Sequence, residues 1–279
     1  MALIQLDFQS ECLHRHIQVN AYIPIDPMLM PGMGAPKGPF KTLYLLHGYT
    51  GGCYDWLSSD KIGQLSQTHN IAIIMPDGEN HFYVDAVRRG DRYSEFIGRE
   101  LVVFTRSLFP LSDKREDTMI GGISMGGYGS LYNGMKYADT FGHIIGISPA
   151  NIIHELADST EEPNNVGATR GFYESVFGDL SKANESELSL PFLARRMKAE
   201  GKEFPDIYFA CGYNDMLIFA NREFHRVLNE LGIEHVFEEG PGTHEPLFFE
   251  PHLNAGLDRI VPPMPPFPNP FWIETPADC

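Results

Sequence analysis

Cysteine is scarce in this chain of 279 residues: Cys12, Cys53, Cys211 and Cys279 are the only four, and none forms a C-x-x-C pair. That spacing excludes zinc-ribbon and thioredoxin-like motifs and is a weak disulfide framework for a chain this long. Reduced thiols in a cytoplasmic protein are the simpler expectation. Basic residues are few as well, 21 Lys and Arg against 37 Asp and Glu, for a formal net charge of −16. A surface of that sign repels phosphate backbones and anionic headgroups, so neither nucleic acid nor an acidic membrane is an expected partner. No apolar run approaches the roughly 18 residues of a membrane span. The opening MALIQLDFQSECLHRH lacks the basic start and apolar run of a signal peptide, so none is expected. Metal motifs are missing too: there is no H-E-x-x-H, and His14 and His16 beside Arg15 read as solvated strand residues.

What is present is the balance of a globular protein, 43% apolar and 21% charged. Ile17 to Ile25 alternates in part like a half-exposed strand. Thr42 to Leu46, Ile71 to Met75 and Thr118 to Gly121 are compact apolar runs of the kind buried strands use, and His143 to Ile147, Ile207 to Cys211 and His235 to Glu238 add three more. Between them, Phe96, Ile97, Leu101, Phe104 and Leu108 share one helical face, as do Phe219, Phe224, Val227, Leu228 and Leu231. Strands alternating with helices predict an α/β protein with a mostly parallel sheet covered on both faces. Residues 151–204 break the rhythm, being rich in Glu, Asn, Ser and Gly, and read as an insertion above the sheet. One domain over residues 1–261 is expected, followed by an arm, 262–279, whose seven prolines forbid helix and central strand.

Gly122-Ile-Ser124-Met-Gly126 fits G-x-S-x-G, and its position gives the pattern weight. It follows a strand-like run and precedes Gly127-Tyr-Gly-Ser-Leu-Tyr, which can open a helix, so the context is the strand–turn–helix of a nucleophile elbow. A serine hydroxyl needs a base to take its proton, and in such a site the chain order is nucleophile, acid, histidine. His225 lies inside a helical pattern and reads as a surface residue; His252 lies in or near the last helix. His244, in Gly240-Pro-Gly-Thr-His244, hangs in a glycine-rich loop after a strand and is the expected base. Asp215, in the loop after Ile207 to Cys211, is the expected acid, since Asp206 starts that strand and Asp258 follows the histidine. An oxyanion hole needs two donors: the N–H of Met125 and one from His47-Gly48-Tyr49, with Tyr49 first and Gly48 second. His47 itself reads as a buried structural residue. Asp77, His81 and Asp85 are assigned mainly to structure, and Lys114, Arg115 and Glu116 to a solvated face.

The segments LYLLHGYTGG, MPDGENHFYVD, SDKREDTMIGGISMGGYGSL, ACGYNDML and PGTHEPLFFE occur in this order. From about residue 3 to 260 the chain resembles the esterase D-like branch of the α/β-hydrolases, with its nearest likeness to bacterial tributyrin esterases. That branch also includes S-formylglutathione hydrolases, feruloyl and acetylxylan esterases, and mycolyltransferases. The resemblance implies an α/β-hydrolase fold, the triad Ser124, Asp215 and His244 reached above, and short-chain acyl esters as small-molecule substrates. No cofactor or metal is needed for that chemistry. It implies further that 151–204 helps to wall the acyl pocket, that Trp56 lies near its rim, and that homo-oligomers can form. Two departures stand out. Glu245-Pro246-Leu247-Phe248-Phe249 replaces a stretch that often carries tryptophan in the family, and the proline-rich tail is not part of the pattern. Thioester hydrolysis, or acyl transfer to an alcohol or sugar, would use the same triad. A non-catalytic binding module would be expected to have lost one of the three residues.

Overall fold

The computed structural model of the chain describes residues 1–26, 37–58, 60–86 and 89–264; the expected arm beyond Met264 lies outside them. Five apolar runs become the parallel centre of one sheet: β3 (Thr42–Leu46), β4 (Ala72–Pro76), β7 (Thr118–Ile123), β8 (His143–Ile147) and β9 (Asp206–Gly212). Each is almost wholly buried, as a strand covered on both faces must be. A parallel edge strand, β10 (Val236–Gly240), and an antiparallel pair, β1 (Ala2–Ser10) and β2 (Arg15–Ile23), complete the order β1-β2-β4-β3-β7-β8-β9-β10. The short β5 (Asp85–Ala86) and β6 (Asp91–Arg92) form a separate hairpin.

Successive residues of a strand face opposite layers. Leu43 and Leu45 of β3 pack with Ile62 and Leu65 of α1 (Lys61–His69) and with Phe248, Leu253 and Leu257 of α8 (Pro246–Ile260). Tyr44 and Leu46 face the other layer. There α2 (Tyr93–Glu95), a π-helical turn over Phe96–Glu100, and α3 (Leu101–Leu108) run on from one another. The same layer holds α4 (Met125–Lys136), α5 (Arg170–Phe177), α6 (Leu190–Ala199) and α7 (Ile218–Glu230). This is the expected α/β-hydrolase arrangement, a mainly parallel sheet between helices.

The stretch 151–204 differs in part from its expected character. Residues 151–169 run as a loop with a 3₁₀ turn over Ile153–Asp158, but α5 buries Tyr173, Val176 and Phe177, and Leu190, Leu193, Ala194 and Met197 line one buried face of α6, which packs on α4 and α7. Both helices belong to the main layer. Arg115 also departs from a solvated face. Half-buried, it donates to the carbonyls of Ala138 and Phe204 and pairs with Glu203 at 2.8 Å, tying loops at the base of the sheet.

Candidate active site

Ser124 sits between the end of β7 and the start of α4 at φ 54°, ψ −117°, a conformation that non-glycine residues rarely adopt. Its neighbours explain how the turn closes. A Cβ on Gly126 would lie 2.3 Å from the Leu46 carbonyl oxygen, and one on Gly122 would lie 2.5 Å from that of Gly126. Only glycine lets β3, β7 and α4 approach so closely. The turn is held by Ser124 N–H donating to the Ile147 carbonyl at 2.9 Å, and by the Ser124 carbonyl accepting from Tyr128 and Ala150.

Two other strand ends deliver the partners. The loops after β9 and β10 join through Tyr213 N–H to Gly240 O at 2.8 Å and Asn214 N–H to Gly242 O at 3.0 Å. Gly212 permits this, since a Cβ there would meet Gly242 O at 2.4 Å. Asp215 and His244 thereby come together: His244 Nδ1 lies 2.9 Å from Asp215 Oδ2, and His244 Nε2 lies 2.9 Å from Ser124 Oγ. The other carboxylate oxygen of Asp215 accepts the Leu217 N–H at 2.9 Å. Burial would push this carboxyl up, but the hydrogen bonds from His244 and Leu217 outweigh it and hold the group below the ordinary aspartate value. An ionised Asp215 draws the imidazole proton to Nδ1, which leaves Nε2 as acceptor for the serine hydroxyl. The ring of Phe249 in α8 stands edge-on to His244 at 5.0 Å between centroids and fixes its tilt.

Met125 is the first residue of α4, where N–H groups have no intrahelical acceptor and the helix dipole is positive. Across from it, the loop after β3 brings Gly48 beside Ser124, with the serine Cβ 3.6 Å from where a glycine Cβ would stand. His47 is fully buried, and its Nε2 accepts the Gly78 N–H at 2.8 Å. Tyr49 and Met125 border a cavity of about 630 Å³. Its walls are apolar near them (Phe82, Ala150, Leu156, Tyr173), and its outer part carries Glu155, Asp158 and Glu162.

Over residues 10–260 the chain matches the model of the Esterase family, described as "Putative esterase". The chain belongs to that esterase family. It is 41% identical over 254 residues to an acetyl esterase of Caldicellulosiruptor saccharolyticus, covering 91% of this chain and 96% of the relative. Among solved structures it is similar to the fluorophosphonate-binding serine hydrolase FphF of Staphylococcus aureus, with 28% identity, a TM-score of 0.81, and coverage of 93% of this chain and 98% of that one. An S-formylglutathione hydrolase from the same organism has 28% identity and a TM-score of 0.79, with coverage again of 93% and 98%. The protein is an ester-hydrolysing enzyme of the serine hydrolase class. Among its described residues no helix is long and apolar enough to cross a membrane.

In this esterase the residues singled out from sequence mostly converge: Ser124, Asp215, His244, Met125, Gly48 and Tyr49 share one site. Trp56 does not join Tyr49 and Met125. It sits in the 3₁₀ turn Asp55–Leu57 before α1, on the opposite face of the sheet, and lines a separate cavity of about 840 Å³ with Ile62, Ile123, Phe249 and Leu253. The histidines passed over as base lie elsewhere. His225 on α7 is half-buried rather than on the surface, its Nδ1 2.8 Å from His235 Nε2, and His252 on α8 bonds the Phe248 carbonyl. Asp85 receives the Ser94 N–H and Lys136 Nζ, and His81 stacks on Tyr93 at 4.7 Å, both in structural roles. Sequence reasoning missed Phe249. The aromatic content of PLFFE was the signal, but no spacing rule ties it to the triad.

Proposed function

We propose that this esterase hydrolyses short-chain acyl esters of neutral alcohols through an acyl-enzyme on Ser124. The observation that carries the reading is the continuous relay from Ser124 Oγ through His244 to Asp215, each link 2.9 Å. His244 takes the serine proton as Oγ attacks the ester carbonyl, forming one C–O bond and a tetrahedral oxyanion. The N–H groups of Met125 and Tyr49, with Gly48 as the alternative second donor, hold that charge. Collapse breaks the bond to the alcohol, which leaves with the proton from His244. Water then repeats the sequence and frees the acid. The reaction as written takes every group from the chain and the solvent.

The cavity beside Met125 and Tyr49 offers room for the acyl group, with the loop 151–168 forming much of its wall, and the preference for short chains is supported by the similarity to an acetyl esterase. Its outer carboxylates, Glu155, Asp158 and Glu162, have no lysine or arginine among the described lining residues to offset them. A glutathione thioester carries net negative charge and would be repelled there, which favours an ester over that thioester. Acetyl esters of polyhydroxy alcohols fit the same reading, since hydroxyls can donate to those carboxylates, and the 41% identical relative bears the name acetyl esterase.

The test is hydrolysis of p-nitrophenyl acetate, butyrate and octanoate, with S-acetylglutathione alongside, by wild type and Ser124→Ala. Fast turnover of the two short esters that vanishes in the variant is expected. Equal rates in both proteins would remove Ser124 from the chemistry, and faster thioester cleavage would reverse the substrate assignment.

A further inference from the structure

Among the described residues, eight non-glycine residues have positive φ, and six of them lie in the loops at or beside the site: Thr50, Glu79, Phe82, Tyr83, Ser124 and Ser148. Three of them, Glu79, Phe82 and Tyr83, lie in the loop that follows β4. Such conformations persist only where surrounding contacts over-determine them, and they gather where geometry matters to function. None of the three belongs to the triad or to its oxyanion donors, so the strain in this loop is unexplained by the chemistry so far.

The contacts of the loop show what it holds. Tyr83 is fully buried, and its hydroxyl donates to the carbonyl oxygen of His47 at 3.0 Å. Its own carbonyl accepts from Asn133 Nδ2 at 3.0 Å, and the same amide donates to Gly129 O at 2.9 Å, so Tyr83 is tied to the middle of α4. Its ring is clamped between Gly78 and Gly129, where added Cβ atoms would lie 2.2 Å and 2.5 Å from ring atoms. One side chain therefore spans from α4, whose first N–H belongs to Met125, to the residue just before Gly48 and Tyr49. Two further pins run from the same loop to the same place. Gly78 N–H donates to His47 Nε2 at 2.8 Å, and Asn80 Oδ1 accepts the N–H of Thr50 at 2.7 Å. His47 and Thr50 bracket the two residues offered as second oxyanion donor.

We infer that the loop Gly78–Tyr83 is a brace that sets the separation of the two oxyanion donors, with Tyr83 and Asn80 as positioning residues. This rests on the reading of Met125 and the Gly48–Tyr49 segment as the oxyanion hole. The brace acts on the transition state. A shift of the second donor weakens its bond to the tetrahedral oxyanion and leaves the planar ester nearly as well bound.

Two conservative variants test it. Tyr83→Phe deletes the bond to His47 O and keeps the ring; Asn80→Ala, at a half-exposed position, deletes the bond to Thr50. Each should lower kcat on p-nitrophenyl butyrate about tenfold, short of the hundredfold or more seen when a donor is removed outright, with KM changed less than about twofold. The inhibition constant of n-butylboronic acid, which adds to the serine oxygen as a tetrahedral boronate, should rise by the factor that kcat/KM falls. Asn80→Asp keeps an acceptor for Thr50 and should recover most of the loss. Thermal midpoints will show whether Tyr83→Phe remains folded; if it does not, the Asn80 pair decides alone. Unchanged kcat in Asn80→Ala, or a lower kcat with unchanged boronate affinity, overturns the brace. Boronate binding that survives in Ser124→Ala instead overturns the reading of the site and is recognised by that control.

Discussion

At the scale of single residues, the site is governed by a few close approaches that leave no room for a methyl group. The obstacle to Gly126→Ala is backbone, the Leu46 carbonyl at 2.3 Å, so no side-chain rotation relieves it. That substitution should cost about 2 kcal/mol or more of stability and abolish turnover, measured by urea unfolding and butyrate hydrolysis. Asp215→Asn tests a different property. The amide presents no charge to the imidazole and can favour the wrong tautomer, so kcat should fall by roughly three to four orders of magnitude, as loss of the corresponding carboxylate does in serine proteases. Stability should carry a pH signature as well. Burial opposes ionisation of Asp215, yet the bonds from His244 and Leu217 win and its folded pKa lies below the unfolded one. Its contribution is therefore complete above about pH 4 and is lost as pH falls through the depressed value. The stability gap between wild type and Asp215→Asn should narrow on acidification below that point; a gap constant across the acid range would deny the shift.

At the scale of elements, the hairpin of β1 and β2 depends on a carboxylate from the helical layer. Glu100, at the end of the π-helical turn, accepts from Ser10 Oγ at 2.7 Å, Glu11 N–H at 2.6 Å and Cys12 N–H at 3.1 Å. Partial burial works against the charge, and these donors outweigh it to lower its pKa. Glu100→Ala should destabilise the protein by about 1 kcal/mol, a modest figure because water screens a half-exposed group. Hydrogen exchange should speed up in β1 while the central strands stay protected. The central strands were legible in the sequence because burial on both faces demands continuous apolar runs, and the elbow was legible because glycine, serine and a strand–helix junction coincide in few other ways. β1 was overlooked although Ile4, Leu6 and Phe8 alternate with Gln5, Asp7 and Gln9, a period-two signal in a segment read only for targeting. The helix α6 was folded into an insertion because polar neighbours on either side diluted its apolar face. Trp56 lies on the α1–α8 side of the sheet, and closeness to the His47–Gly52 loop in sequence does not say on which face of the sheet a turn will leave it. The brace residues lay beyond any pattern, since their roles arise from contacts between loops about 30 residues apart or more.

At the scale of the whole molecule, the net charge of −16 and the carboxylates of the cavity wall act in the same direction on an approaching substrate. Exposed charges of this kind contribute little to holding a ligand, but they alter its local concentration and its rate of encounter, and salt screens them. Three butyrate esters of similar size separate the effect from steric fit: a choline ester, its uncharged 3,3-dimethylbutyl isostere, and an ester of a hydroxy acid. The neutral ester should show kcat/KM nearly independent of ionic strength. Between about 10 mM and 0.5 M salt, kcat/KM should fall roughly threefold for the cation and rise by a similar factor for the anion. Replacing the three wall residues together (Glu155→Gln, Asp158→Asn, Glu162→Gln) apportions the field. If the salt response persists undiminished, it arises from the overall charge; if it collapses, the mouth of the cavity is the source. Identical salt profiles for all three esters in the wild type would show that charge plays no part in choosing the substrate, and the preference for neutral esters over glutathione thioesters would then have to come from the shape of the cavity alone.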